Sequence, residues 1–326
     1  MEKIKPMKKI KPMKKIKKKL IVILGPTASG KSELAIKLAL RLSSGQAKKR
    51  LGINGAEIIS ADSRQVYKGM DVGTGKVTPR EMKGIPHHLL DVASPKRRFT
   101  VVQYRKLALR AINKIFKRGK IPILCGGTGF YIQAVIDGIV IPRVKPDWNL
   151  RKKLGEKSTE ELYNTLKKLD SKRAGTIDNK NKRRLIRALE IITKTKRQVP
   201  SLRKEPLTYP VLMIGIKKEK KELSSLIRKR LLKRLKEGMV VEVEKLKKSG
   251  LSWKRLEEFG LEYRWVAMYL QKKISYEEMV KKLGKDIEHF AKRQITWFKK
   301  DSRIYWIKNY NQAQKIIEKH NLKQFS

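Results

Sequence analysis

The sequence predicts an α/β fold: a parallel-sheet core flanked by helices, with an all-helical insertion domain. Three observations predict it. Short apolar runs alternate with stretches of helical period between residues 20 and 125. The first run leads straight into a glycine-rich phosphate-binding pattern. Residues 150–196 then carry helix signals alone.

Taken in order, the chain opens on a repeated hexad, Lys3-Ile-Lys-Pro-Met-Lys8 and Lys9-Ile-Lys-Pro-Met-Lys14. Pro6 and Pro12 interrupt any helix and no apolar core follows, so residues 1–19 read as a disordered basic arm rather than a secretory signal. Contact with RNA and organelle targeting are the other readings of such an arm. Residues 20–24 form an apolar run suited to a buried parallel strand. Leu34, Ala35, Leu38 and Leu42 recur at helical spacing, and Ser43 and Gly45 end the pattern. Residues 43–55 read as a polar loop. Glu57-Ile58-Ile59-Ser60 restarts a strand that ends on Ala61 and Asp62. Residues 101–117 are helical by period, Gly119 stops them, and residues 121–125 are a further buried strand running into Gly126-Gly127-Thr128. This alternation implies parallel strands joined by right-handed crossovers.

The pattern changes after Asp137, where Pro142 and Pro146 punctuate the chain. A capping box, Ser158 to Glu161, and a basic helix through Arg183, Arg184 and Arg187 follow. Residues 211–216 read as a strand returning to the sheet. Long helices come next, one of them opening with the capping box Ser275 to Glu278 and running to about residue 300. The expected division is an arm over 1–19, the first part of the core over 20–140, a helical insertion over 141–206 and completion of the core over 207–326.

Lys and Arg number 81 against 30 Asp and Glu, a formal charge of +51 that attracts polyanions at long range. Nucleic acid and an anionic membrane surface both fit, and so does a lineage that favours lysine throughout. No apolar run approaches the ~18 residues that span a bilayer, which leaves a soluble or peripheral protein, and no membrane partner is expected. The single cysteine, Cys125, excludes an intrachain disulfide and suits a reducing, cytoplasmic compartment.

Gly25-Pro26-Thr27-Ala28-Ser29-Gly30-Lys31-Ser32 fits the P-loop pattern G-x-x-x-x-G-K-[ST] between a predicted strand and a predicted helix. Its backbone N–H groups and the helix N-terminus suit phosphate oxygens. Lys31 adds a cation, and the Ser32 hydroxyl is placed to help hold Mg²⁺. Asp62 sits where the second strand leaves the sheet, on the same carboxyl edge as the P-loop. It suits a water-mediated Mg²⁺ contact, a general base or a mere turn residue.

Several blocks together resemble one family. The P-loop, Ile59-Ser-Ala-Asp-Ser-Arg-Gln-Val-Tyr-Lys-Gly-Met-Asp-Val-Gly-Thr74, Pro86-His-His-Leu-Leu-Asp91, Gly126-Gly-Thr-Gly-Phe-Tyr131, Arg187-Ala-Leu-Glu190 and Ala291-Lys-Arg-Gln-Ile-Thr-Trp297 follow the order seen in the tRNA dimethylallyltransferases. That resemblance implies a P-loop core holding dimethylallyl pyrophosphate, with Mg²⁺, and an insertion gripping the anticodon stem-loop of tRNA. It implies transfer to N6 of adenosine 37, with Asp62 as general base and Thr27 positioning the reacting groups. It assigns the pyrophosphate to the loop from Gly25 to Ser32, chiefly Lys31 and Ser32. It assigns tRNA contacts to Asp62, Ser63, Arg64, Gln65, Thr128, Arg183, Arg184, Arg187 and Arg293. The expected protein is a monomer.

His87 and His88 read as structural, and Tyr67 and Tyr131 as lining either an allyl pocket or the RNA path. The resemblance places the family's pyrophosphate-binding arginine near Arg255-Leu-Glu-Glu-Phe-Gly-Leu-Glu-Tyr-Arg264, where the spacing departs from the pattern and leaves Arg255, Arg264 or neither as that residue. Competing activities are an adenylate isopentenyltransferase acting on free AMP, ADP or ATP, a P-loop kinase, and a non-enzymatic RNA-binding protein.

Overall fold

Leu20, Val22 and Leu24 face one apolar cluster while Ile21 and Ile23 face another, so the first strand is buried on both sides. That pattern is the signature of a sheet covered by helices on each face. A computed structural model describes residues 18–320 apart from 143 and 202; the expected arm over 1–19 lies almost wholly outside the described residues.

The first part of the core runs β1 (Leu20–Leu24), α1 (Lys31–Leu42), α2 (Gly45–Leu51), β2 (Ala56–Ser60), α3 (Pro79–Met82), β3 (His87–His88), α4 (Val101–Lys117), β4 (Ile121–Gly126) and α5 (Gly129–Ile136). The insertion holds α6 (Trp148–Glu156), α7 (Thr159–Leu169), α8 (Ser171–Ala174) and α9 (Lys182–Thr195). The chain then gives β5 (Val211–Ile216), α10 (Lys220–Lys236), α11 (Met239–Lys248), α12 (Trp253–Phe259), α13 (Leu261–Leu270), α14 (Tyr276–Phe298), β6 (Ile304–Ile307) and α15 (Tyr310–Lys319). The strands form a six-stranded parallel sheet in the order β3-β2-β4-β1-β5-β6. Val22 lies opposite both Leu124 and Met213, which puts β1 between β4 and β5 at the centre. Helix α1 and helix α15 cover one face, while α4, α5, α10 and α14 cover the other.

Two elements differ from expectation. Residues 43–55, read as a polar loop, contain α2 over Gly45–Leu51, because Gln46, Ala47, Lys48 and Lys49 favour helix without supplying an apolar stripe. The pair His87 and His88 forms a short edge strand against Ile58 and Ile59. His88 Nε2 bonds the buried Glu57 carboxylate at 2.7 Å, which Arg118 and Lys120 also hold. Burial pushes the Glu57 carboxyl up, yet the bonds from His88, Lys120 and Arg118 prevail and bring it to about 2.

The chain divides into two compact units, residues 1–136 with 207–326, and residues 137–206. The second unit has its own core of Leu162, Leu166, Leu185, Ala188 and Leu189. Its fully buried Glu190 accepts from the Asp147 amide and from Arg151 Nε, both at 2.7 Å, and pairs with Arg187. Ser158 and Glu161 cap α7 reciprocally, and Ser275 and Glu278 cap α14 in the same way.

Candidate active site

Both β1 and β2 end on the same edge of the sheet because they run parallel with only β4 between them, and that edge sets Gly25 to Ser32 beside Ala61 and Asp62. Gly30 precedes α1 with φ 86°, a left-handed conformation that glycine adopts without strain. The loop thus turns back on itself and points the first-turn amides of α1 outward, where no helix carbonyl reaches them. Lys31 Nζ donates to the Pro26 carbonyl at 3.2 Å. Burial, then the neighbouring Arg230 charge, bring the Lys31 ammonium down to about 8. The Ser29 hydroxyl is buried with no partner among the described residues, and Ser32 is exposed on the first turn of α1.

Asp62 opens a tight turn, its Oδ1 accepting from the Arg64 amide at 2.8 Å and the Gln65 amide at 3.4 Å. The Ser63 amide donates to Thr128 Oγ1 at 3.0 Å, and the Thr128 amide donates to the Ala61 carbonyl at 3.1 Å. Thr128 therefore fastens the Asp62 turn to the start of α5. Gln65 accepts from Ser60 Oγ and donates to the Gly75 carbonyl at 3.2 Å. Arg64 Nε donates to the Phe259 carbonyl at 2.8 Å.

A cleft of about 250 Å³ has Thr27, Asp62, Ser63, Arg64, Thr128, Arg264 and Arg293 in its wall. Arg183, Arg184 and Arg187 are elsewhere, on α9 of the second unit; Arg183 and Arg184 are exposed, while Arg187 is engaged with Glu190 and the Val144 carbonyl. Pro26, next to Thr27, borders a separate groove of about 780 Å³ walled by Leu223, Ile227, Ala291, Ile295 and Trp306, with Lys217, Lys220 and Lys292 among its polar residues. Consecutive P-loop residues thus face two different openings.

Sequence reasoning missed three residues of this site. Gln294, buried on α14, takes the Thr27 amide on Oε1 at 2.8 Å and donates Nε2 to the Gly127 carbonyl at 2.8 Å. A Cβ on Gly127 would overlap that same Nε2, which gives the glycine a packing reason. Arg230 Nη1 reaches Thr27 Oγ1 at 3.5 Å and its Nη2 donates to the Gly75 carbonyl at 3.3 Å. Arg234 bonds the Gly73 carbonyl and Glu262. One signal was available: the buried stripe of α10, Leu223, Ile227 and Leu231, ends on the charged Arg234.

Arg255 and Arg264 separate clearly. Arg255 Nε donates to the Pro95 carbonyl at 2.8 Å, its Nη2 donates to the Arg97 carbonyl at 3.0 Å, and its guanidinium lies 4.3 Å from the Phe259 ring centre. It is a brace for the 95–97 loop, whereas Arg264 is in the cleft wall. Tyr67 and Tyr131 are core residues: the Tyr67 hydroxyl accepts from the Phe99 amide at 3.1 Å, and Tyr131 stacks on Tyr104 at 3.9 Å.

Over residues 65–301 the sequence matches the family described as IPP transferase. The chain belongs to the IPP transferase family. It is 41% identical over 316 residues to a tRNA dimethylallyltransferase of Acetivibrio thermocellus, covering 94% of this chain and 96% of that protein. Against tRNA dimethylallyltransferase 1 of Syntrophus aciditrophicus the identity is 42%, over 89% of this chain and 93% of the relative. Among solved structures it resembles the tRNA isopentenylpyrophosphate transferase of Bacillus halodurans, with a TM-score of 0.66, 35% identity and coverage of 94% and 96% of the two chains. It also resembles a eukaryotic dimethylallyltransferase acting on tRNA, with a TM-score of 0.71, 26% identity and coverage of 89% and 74%. The IPP transferase match begins at Gln65 and takes in Arg230 and Arg234 of α10, while the P-loop and Asp62 lie before its first residue.

Proposed function

We propose that the protein transfers a dimethylallyl group from dimethylallyl pyrophosphate to N6 of adenosine 37 in the anticodon stem-loop of tRNA, releasing pyrophosphate. One observation carries this reading: Thr27 of the phosphate loop and the Asp62 carboxylate share the wall of one cleft. A diphosphate on the loop and an amine at the carboxylate would then be neighbours, which is the arrangement a displacement at an allylic carbon needs. The names of its relatives supply the substrate class.

An exocyclic adenine amine is a weak nucleophile. Asp62 fixes it and takes its proton as the new bond forms; Oδ1 is held by the turn amides, and Oδ2 receives the proton. The loop amides, Lys31 and Arg230 meet the charge that grows on the departing pyrophosphate. The partnerless buried Ser29 hydroxyl and the exposed Ser32 hydroxyl, both on the phosphate loop, fit a diphosphate with its Mg²⁺. Bound there, Mg²⁺ would neutralise phosphate charge. The apolar-walled groove beside Pro26 suits the allyl chain and brings the donor to the loop from that side.

The acceptor base leaves its stack to reach the cleft, at a cost of a few kcal/mol that loop nucleotides keep small. The formal charge of +51 and the exposed Arg183 and Arg184 support a polyanionic acceptor over free AMP. In this reading the enzyme works as a monomer in the cytoplasm; no helix of the described residues is long and apolar enough to cross a membrane. The test is incubation with Mg²⁺, dimethylallyl pyrophosphate and either unmodified tRNA or AMP, followed by mass spectrometry of the nucleosides. An isopentenyl adduct on tRNA alone is expected. An adduct on AMP would make it an adenylate isopentenyltransferase, and turnover of ATP a kinase.

A further inference from the structure

We propose that Glu262 is a counter-anion built into the cleft wall, and that by neutralising Arg234 it limits how tightly the site holds pyrophosphate and so lets the product leave. The inference rests on the diphosphate reading of the P-loop and deepens it.

Two guanidiniums are crowded beside the loop. A Cβ on Gly75 would overlap Nη2 of both Arg230 and Arg234, so the two side chains press on one point from α10. Arg230 reaches the P-loop through Thr27 Oγ1, while Arg234 Nη1 pairs with Glu262 Oε1 at 2.9 Å and donates to the Gly73 carbonyl at 3.2 Å. The Arg234 and Glu262 side chains are only 8% and 13% exposed, so water screens them little. Burial and then the Arg234 charge bring Arg230 down to about 10, a sign of how crowded the cations are.

Other acids nearby are committed elsewhere. Glu242 accepts from the amides of Asp71, Val72 and Gly73 and from the Tyr263 hydroxyl. Asp62 Oδ1 is bound into its own turn. Glu262 is hydrogen-bonded to Arg234, its charge also acts on Arg230 without a hydrogen bond between them, and it lies in the cleft wall with Thr27 and Asp62.

Two consequences follow from charge alone. In the free protein burial raises the Glu262 carboxyl and the Arg234 charge opposes that rise, so the paired carboxylate and the two adjacent guanidiniums make one another's burial tolerable. Once a diphosphate arrives beside Lys31 and Arg230, the same carboxylate repels it and weakens its hold. Glu262 is therefore a positioning residue, acting on the leaving group through Arg234 and through the field. Glu262→Gln keeps an acceptor oxygen for Arg234 and removes only the charge.

The experiment is calorimetric titration of inorganic pyrophosphate with Mg²⁺ into wild type, Glu262→Gln and Glu262→Asp, together with single-turnover and steady-state transfer. Glu262→Gln is expected to bind pyrophosphate at least about tenfold more tightly, to gain more melting temperature from it than wild type does, and to show a burst followed by slow steady turnover; Glu262→Asp is expected to return toward wild type. Unchanged or weaker binding by Glu262→Gln would overturn the proposal. Should that variant not fold, the double change Arg234→Gln with Glu262→Gln, which leaves the local net charge as it was, is expected to bind pyrophosphate within about threefold of wild type; a tenfold departure would equally overturn it. Wild type that binds no pyrophosphate would sink the diphosphate reading itself, a result distinct from unchanged affinity in the variant.

Discussion

The Thr27 amide donates to Gln294 Oε1 at 2.8 Å, across 267 residues of sequence, and the other end of the same side chain donates to the Gly127 carbonyl. One buried amide thereby fixes the P-loop against the turn that follows β4. Gln294→Ala strands a buried donor and a buried acceptor, for a loss of about 2 kcal/mol of stability. The expected outcome is a lower melting temperature together with reduced pyrophosphate affinity, read by calorimetry and by titration. A variant with a normal melting temperature and normal affinity would show that the bridge has no such role.

Lys31 gives a pH dependence with a definite sign. Its ammonium falls from 10.5 to about 8 in the folded protein, burial being the first cause and the Arg230 charge the second. The unfolded chain thus holds this proton more tightly than the folded one, so its contribution to stability rises between pH 8 and 10.5. Binding runs the other way. Pyrophosphate favours the charged lysine, so affinity is expected to fall as pH passes about 8 and binding is expected to take up protons there. Calorimetry in buffers of different ionisation enthalpy measures that uptake.

At the opposite end of the sheet, Glu57 predicts acid sensitivity. Its folded value of about 2 lies below the ordinary 4.5, so its stabilising contribution is complete above 4.5 and is lost as pH falls toward 2. Glu57→Gln is expected to lower the melting temperature at neutral pH and to flatten its fall across that window, as followed by thermal unfolding at a series of pH values. Identical slopes for variant and wild type would remove Glu57 from the account.

Arg255 and Arg264 are expected to fail differently. Arg255→Ala loses two carbonyl contacts and its stacking on Phe259, which costs about 1–3 kcal/mol of stability, while the folded fraction retains transfer. Arg264→Ala keeps the melting temperature and lowers kcat/KM for transfer at least about tenfold. Unfolding curves and transfer kinetics on the two variants check this, and the reverse pattern would exchange their roles.

Much of the core was legible because its signals are local. Residues 20–24 and 211–216 are unbroken apolar runs, and the P-loop must stand between a strand and a helix. The two-residue β3 and the polar helix α2 carry no period long enough to read. Within the site, Asp62 could be placed on the carboxyl edge from strand order alone. Gln294, Arg230 and Glu262 could not, since each acts through a partner between 28 and 267 residues away, and such couplings leave no spacing in the chain. Arg234 left a trace, a charge where the α10 stripe called for an apolar residue.

A diphosphate on the Gly25 to Ser32 loop and an amine at Asp62 are expected to meet in one cleft. Single-turnover transfer to tRNA by Asp62→Asn, with tRNA binding and pyrophosphate binding measured on the same sample, tests it most directly. Transfer is expected to slow by at least about a thousandfold, with both affinities within a few fold of wild type. Transfer at a near-normal rate would contradict it.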